Sequence, residues 1–218
     1  MLQPVISNMN PDDGLTPHEA VVLDDEKAER LSRFLALVLR HRALMFDLPM
    51  DEEGFVPIDD LLDLMAERQR SLDWVEPEHI DLLARNQGRQ RFEVRDDRVR
   101  ATYGHSFSRP IFYPAVEPPA ELFVAMPRAR MAEARQKGLH PQGRQYVHLS
   151  KDREEALEIG RHHDPNASAV TVRAHDAHEH GIKFHRPTEG IFLVAQVPAE
   201  FLDIEIEYGR PARKSRRR

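Results

Sequence analysis

Apolar residues first recur with helical spacing at Leu31, Phe34, Leu35, Val38 and Leu39. Positions i, i+3, i+4, i+7 and i+8 fall on one face of a helix and predict a single apolar stripe. Asp24, Asp25 and Glu26 suit its first turns and Arg40, His41 and Arg42 its last, in keeping with the helix dipole. A turn and a short extended piece follow over residues 48–58. Asp59 is then placed to cap a second helix carrying Leu61, Leu62, Leu64 and Met65. A third helix begins near Pro77 and carries Ile80, Leu82 and Leu83. Alternating residues 91–94 and 98–101 flank Asp96-Asp97 and predict a hairpin. Three helices and a hairpin make a small winged-helix-like lobe.

Pro110, Pro114, Pro118 and Pro119 punctuate the next stretch, which reads as a linker over residues 110–120. Beyond it the pattern turns to short strands: residues 121–125, 143–150, 169–172, 182–185 and 191–194. A helix over residues 127–137 stops at Gly138, another covers residues 151–162 with Ala156, Leu157 and Ile159 inward, and a helical turn ends at Gly181. On the strand from Gly143 to Ser150, Arg144, Tyr146 and His148 share one face while Val147 and Leu149 take the other, and Ser150 is placed to cap the next helix. The fold class is therefore α+β in two lobes. The expected organisation is a disordered lead-in (1–22), the winged-helix-like lobe (23–109), the linker (110–120), a second lobe (121–208) and a basic tail (209–218).

Composition narrows the function. The 218 residues are 40% hydrophobic and 31% charged, with no run of about 18 apolar residues to span a membrane and no apolar leader. The absence of cysteine removes disulfides, thiolate catalysis and thiolate metal sites, and fits a reducing cytoplasm. A net charge of −6 argues against a general nucleic-acid coat but leaves room for a local basic site. The tail from Arg210 to Arg218 reads as a solubilising extension or a non-specific RNA contact. His175, His178 and His180 superficially offer zinc spacing, but without a His-Glu-x-x-His pattern they read as surface histidines, and no metal is expected. No phosphate-binding glycine loop and no nucleophile elbow occur. Acidic pairs such as Asp51-Glu52 and Asp59-Asp60 lie at turns and helix starts, where capping accounts for them. What remains are Arg40-His41, Arg100 and Arg144, cations in ordered elements that could converge across the lobes. The row Arg144, Tyr146, His148 would suit an anionic ligand, and equally an ordinary half-exposed strand.

At this point the chain resembles the RNA 2′-phosphotransferases of the KptA group. The resemblance rests on Leu39-Arg40-His41, on Gly54-Phe55-Val56-Pro57-Ile58-Asp59-Asp60-Leu61-Leu62 and on Gln90-Arg91-Phe92-Glu93. It continues through Arg100-Ala101, Gly104-His105-Ser106, the segment from Gly143 to Ser150, Phe184-His185-Arg186, Gly190-Ile191-Phe192-Leu193 and Val197-Pro198. Their joint order and spacing is specific where each alone is weak. The resemblance implies an RNA-binding winged-helix lobe and an ADP-ribosyltransferase-like lobe holding NAD. It implies that the 2′-phosphate of an RNA displaces nicotinamide from NAD. The ADP-ribosylated intermediate then resolves to RNA with a free 2′-hydroxyl and ADP-ribose 1″,2″-cyclic phosphate. The family's essential Arg-His-Arg-Arg set falls on Arg40, His41, Arg100 and Arg144, and the NAD contacts on His148, Ser150 and Gly190. Implied partners are 2′-phosphorylated RNA and NAD as co-substrate, for a cytoplasmic monomer without metal. Two departures stand out: Val124-Ala125-Met126 replaces the usual His-Gly-Thr on the first strand of the NAD lobe, and Tyr103 replaces a glutamine. They keep two alternatives open, a non-enzymatic RNA or phosphate-binding module and an ADP-ribosyltransferase with another phosphorylated acceptor.

Overall fold

The computed structural model describes residues 23–86 and 90–204; the expected lead-in (1–22), the basic tail (209–218) and the last residues of the expected second lobe lie outside them. Helix α1 (Asp25–Leu37) starts where Asp24 accepts the Lys27 N–H at 2.8 Å, and it buries Leu31 and Leu35 completely. The regular helix does not continue to Arg42 as its apolar stripe suggests. The backbone widens into a π turn over Val38–Arg42, then tightens into a 3₁₀ turn over Ala43–Phe46 that ends at Asp47 with φ 51°. Val38 and Leu39 still point inward, so the stripe survives the change of winding. A π turn inserts an extra residue and re-aims the side chains on it, a feature common at functional sites.

Helix α2 (Ile58–Arg68) corrects one local expectation. Its cap position is Pro57, and Asp59 and Asp60 occupy the first turn, where the dipole favours acids without a capping hydrogen bond. Helix α3 (Pro77–Arg85) begins at Pro77 as expected, with Glu76 and His79 forming a reciprocal capping pair. The expected hairpin is β2 (Phe92–Arg95) and β3 (Arg98–Ala101), turning at Asp96 with φ 54°. With β1 (Val56–Pro57) on the other side of β3 it makes a three-stranded antiparallel sheet. Leu31, Leu35, Leu39, Leu61, Met65, Ile80 and Val99 close the first core. Each such side chain contributes roughly 1.5–3 kcal/mol by leaving water.

The proline-dotted segment is packed in. Ile111 and Tyr113 are buried in the first core, and β4 (Ala115–Val116) forms one edge of the second sheet. That sheet also contains β5 (Glu121–Met126), β6 (Val147–Ser150), β7 (Ser168–Arg173), β8 (Phe184–His185), β9 (Ile191–Val194) and β10 (Leu202–Asp203). Its order is β10-β7-β5-β6-β9-β8-β4, with antiparallel pairs throughout. Helices α4 (Arg128–Lys137), α5 (Arg153–Arg161) and α6 (Ala174–Glu179) complete the chain, which is α+β as expected. Ile191 and Leu193 of β9 also join the first core, so the two halves share apolar contacts.

The strand expected over residues 143–150 is regular only from Val147. The reason lies in the backbone of Gln145, whose N–H donates to His105 O at 3.0 Å, outside the sheet. Arg144 to Tyr146 therefore bend toward the first half of the chain. Ser150 is not the cap of α5: Asp152 fills that role, accepting the Glu155 N–H at 2.8 Å. Ser150 is instead buried at the end of β6, paired with Ile191 on one side and Phe123 on the other. Ile159 is only half-buried, because Gly160 takes the inward place against Ala125.

Candidate active site

The site is built where the π turn, the loop after β3 and the bend before β6 meet. Arg40, on the π turn, turns its guanidinium inward over the ring of Tyr103 at 5.3 Å and that of Phe92 at 6.0 Å. Its Nε and Nη2 are buried and have no hydrogen-bond partner among the described residues. Burial lowers its proton affinity, and Arg144 and Arg91 nearby push the same way. It nevertheless stays charged near neutral pH.

Gly104-His105-Ser106 wraps around this residue. Gly104 has φ +95°, and a Cβ there would lie 3.3 Å from Arg40 Cδ, so only glycine serves both the backbone and the packing. The Ser106 N–H donates to Arg40 O at 2.9 Å, while its Oγ lies 2.8 Å from His41 Nδ1. Ser106 thus fixes the His41 ring and leaves Nε2 as its outward nitrogen. Partial burial, then Arg40, Arg144 and Arg42, lower the His41 pKa, so the imidazole is neutral at pH 7.

Two further histidines lie inside the cluster. His105 is 3% exposed, and its Nδ1 sits 3.2 Å from Tyr113 Oη. The Tyr113 hydroxyl also donates to Thr102 O at 3.0 Å, which commits its single proton. His105 Nδ1 must then carry the hydrogen, leaving Nε2, buried and without a partner among the described residues, as an acceptor. Burial, with Arg40 and Arg100 beside it, drives the His105 pKa down to about 3. On β6, His148 meets the Tyr103 ring at 5.7 Å, and its Nε2 is likewise buried without a partner. Burial, with Arg144 and Arg40 nearby, lowers its pKa to about 3.

Arg40, His41 and Arg144 are therefore within electrostatic reach of one another, and His148 lies among them. Arg144 itself is exposed on the bend. Arg100 approaches the cluster through His105, and its own guanidinium is engaged by the Glu93 carboxylate. The row expected on the strand divides: Tyr146 packs edge-on to Tyr113 and His185 at 5.9 and 5.6 Å, while His148 turns toward Tyr103. Ser150 and Gly190 lie farther along the β6–β9 pair. The Gly190 carbonyl accepts the Lys151 N–H at 2.8 Å, and a Cβ on Gly190 would come within 3.2 Å of Glu155. The register of the missing His-Gly-Thr is on β5, where Met126 is buried, Val124 packs on the second core and Ala125 meets Gly160. These side chains offer no polar group to a ligand.

The loop residues were the part sequence reasoning left without roles. His105 and Ser106 stand inside a motif noted for its spacing, which was the available signal. Gln145 gave less, yet it fastens the site: it accepts the Ile111 N–H at 3.0 Å and donates to Phe107 O and Arg109 O at 2.9 and 2.7 Å. A cleft of about 630 Å³ opens beside Arg100, between α3 and β2 on one side and Pro187 on the other. Among the described residues no three histidines or carboxylates converge on a metal position. His178 and His180 instead contact the carbonyls of Ile182 and Asp176. No helix among the described residues is long and apolar enough to cross a membrane.

Residues 26–196 match the model of the RNA 2′-phosphotransferase, Tpt1 / KptA family. The chain belongs to this family. A protein of Acetivibrio thermocellus named "Probable RNA 2′-phosphotransferase" is 34% identical over 178 residues, 81% of this chain and 96% of that protein. One of Pseudomonas paraeruginosa with the same name is 36% identical over 183 residues, 83% of this chain and 98% of its own length. A third, from Thermococcus kodakarensis, is 31% identical over 178 residues, 82% of this chain and 97% of the relative. The matched span of the Tpt1/KptA model contains Arg40, His41, Arg100 and Arg144, and takes in both sheets except β10.

Proposed function

We propose that this chain removes an internal 2′-phosphate from RNA by transferring it to NAD. The observation that carries the reading is Arg40, whose Nε and Nη2 are buried without partners beside further cations. Leaving charged donors unmet inside a protein costs several kcal/mol, which an anion held there would recover. A phosphomonoester near −2 charge fits, because Arg offers a planar fork of donors to phosphate oxygens. Arg40 and Arg144 would grip the phosphate and stabilise the crowded state it passes through, with Arg100 approaching from the first lobe. When bound, NAD supplies an electrophilic ribose carbon with nicotinamide as leaving group. Buried His148 Nε2, also without a partner among the described residues, would meet that co-substrate, with Ser150 and Gly190 farther along the β6–β9 pair.

His41 is neutral with Nδ1 held by Ser106, so its Nε2 can take a proton from an attacking hydroxyl and return it to the departing RNA 2′-oxygen. The first lobe would then serve as the winged-helix-like RNA platform, and the seven-stranded sheet as the ADP-ribosyltransferase-like half. The absence of cysteine accords with work in the cytoplasm.

The test is a purified-protein reaction with 2′-phosphorylated RNA, with and without NAD. NAD-dependent loss of the 2′-phosphate with equimolar nicotinamide is expected, and Arg40→Ala should abolish it. RNA binding without nicotinamide release would overturn the reading, and a stable ADP-ribosylated RNA would overturn its second step.

A further inference from the structure

Arg100 is held in place more thoroughly than its partners. Its Nε and Nη2 donate to one oxygen of Glu93 at 2.8 and 2.5 Å, its Nη1 donates to Glu53 O at 3.1 Å, and its Cζ lies 4.5 Å from the centre of the Phe55 ring. The side chain is 12% exposed. A guanidinium has five N–H donors, so one N–H on Nη1 and one on Nη2 make no hydrogen bond among the described residues, although Nη1 also lies 3.6 Å from the Glu53 carboxylate. Glu93 and Arg100 are cross-strand partners in the β2–β3 register, so the hairpin itself fixes the distance between carboxylate and guanidinium. Both line the open cleft of about 630 Å³, which makes Glu93 a negative charge on a wall where an RNA phosphate would have to approach.

A carboxylate in that position weakens the binding of any polyanion, and Glu93 is half-buried and no part of the first hydrophobic core. We infer that Glu93 is a positioning residue for the transfer reaction: it orients Arg100 so that the two remaining donors face the 2′-phosphate. Glu93 itself does not touch the phosphate. The inference rests on the reading of Arg100 as a phosphate ligand.

It separates two quantities that general damage would move together. Glu93→Ala removes two of the three hydrogen bonds that orient Arg100, and also removes a repulsive charge. The single-turnover rate at saturating RNA and NAD should fall by about 100-fold, the scale of a misplaced reacting group. The dissociation constant for 2′-phosphorylated RNA should stay the same or tighten. Glu93→Asp, which withdraws the carboxylate by one methylene, should lose rate in the same way. Glu93→Gln keeps an acceptor oxygen within reach of Nε and Nη2 and should hold the rate to within about fivefold, the value of the lost charge assistance.

Arg100→Ala is measured alongside. Wild-type turnover in Arg100→Ala removes the role of Arg100 and the inference with it. A slow Arg100→Ala beside a wild-type rate in Glu93→Ala and Glu93→Asp overturns the inference alone. Equal slowing in Glu93→Gln and Glu93→Asp also overturns it, since an acceptor oxygen kept within reach of Nε and Nη2 would then fail to preserve the rate. Should Glu93→Ala fail to fold, the contrast between the Asp and Gln variants decides.

Discussion

Replacing Gln145 by alanine tests how the two halves of the protein make one site. The side chain spans them with three hydrogen bonds, accepting from the Ile111 N–H and donating to Phe107 O and Arg109 O. Its amide orientation is fixed by these partners, since reversing it would set its oxygen against two carbonyls. Ile111 is 1% exposed, so in Gln145→Ala its N–H loses its acceptor in a place water does not reach, at a cost of about 1–3 kcal/mol. The two carbonyls are more open and would rehydrate, adding about 0.5–1 kcal/mol each. The sum is about 2–5 kcal/mol, equivalent to roughly 5–15 °C in a protein of this size. Urea denaturation at pH 7.5 should show the midpoint fall with little change in slope. Activity should fall as well, because the loosened loop carries Ser106, the residue that orients His41. Gln145→Glu retains an acceptor for Ile111 but faces both carbonyls with a charged oxygen, and should be no more stable than the alanine variant. A loss below about 0.5 kcal/mol in Gln145→Ala would refute the idea that this side chain fastens the halves together.

Two further outcomes follow from the same geometry. His105 and His148 have folded pKa values of about 3 against 6.5 when unfolded, so between those values the unfolded chain binds protons that the folded chain refuses. Stability should therefore be full above pH 6.5 and decline as the pH falls toward 3. From pH 7.5 to 5.5 the decline should be about 1–3 kcal/mol for the pair; urea midpoints that do not move over this interval would contradict it. Gly104→Ala should cost about 1–2 kcal/mol for its left-handed backbone. It should also lower the single-turnover rate by about tenfold or more, because the new methyl presses on Arg40 Cδ; an unchanged rate would show that Arg40 can shift freely.

Much of this molecule could be read from the chain, and the failures share a cause. The stripe from Leu31 to Leu39, the proline opening α3, the hairpin at Asp96-Asp97 and the glycine ending α4 were all legible because each depends on spacing or on one residue's backbone preference. The Glu93–Arg100 pair was legible in principle too, since the two positions are equidistant from the hairpin turn. Other features depended on distant partners. The π turn at Arg40 answers to the loop carrying Ser106 and Gly104, more than sixty residues away, and residues 143–150 give up half their strand because Gln145 bonds the loop after β3. Ser150, a cap candidate by residue type, is buried in the sheet because it pairs with Ile191 and Phe123, and Asp152, adjacent to the start of α5, supplies the cap. Sequence alone thus determined the residue types available for a phosphate site and the elements bearing them. Which cations face each other, which histidines lose their solvent and which donors are left unmet were decided by tertiary packing, because desolvation and charge proximity are properties of neighbours that the chain order does not specify.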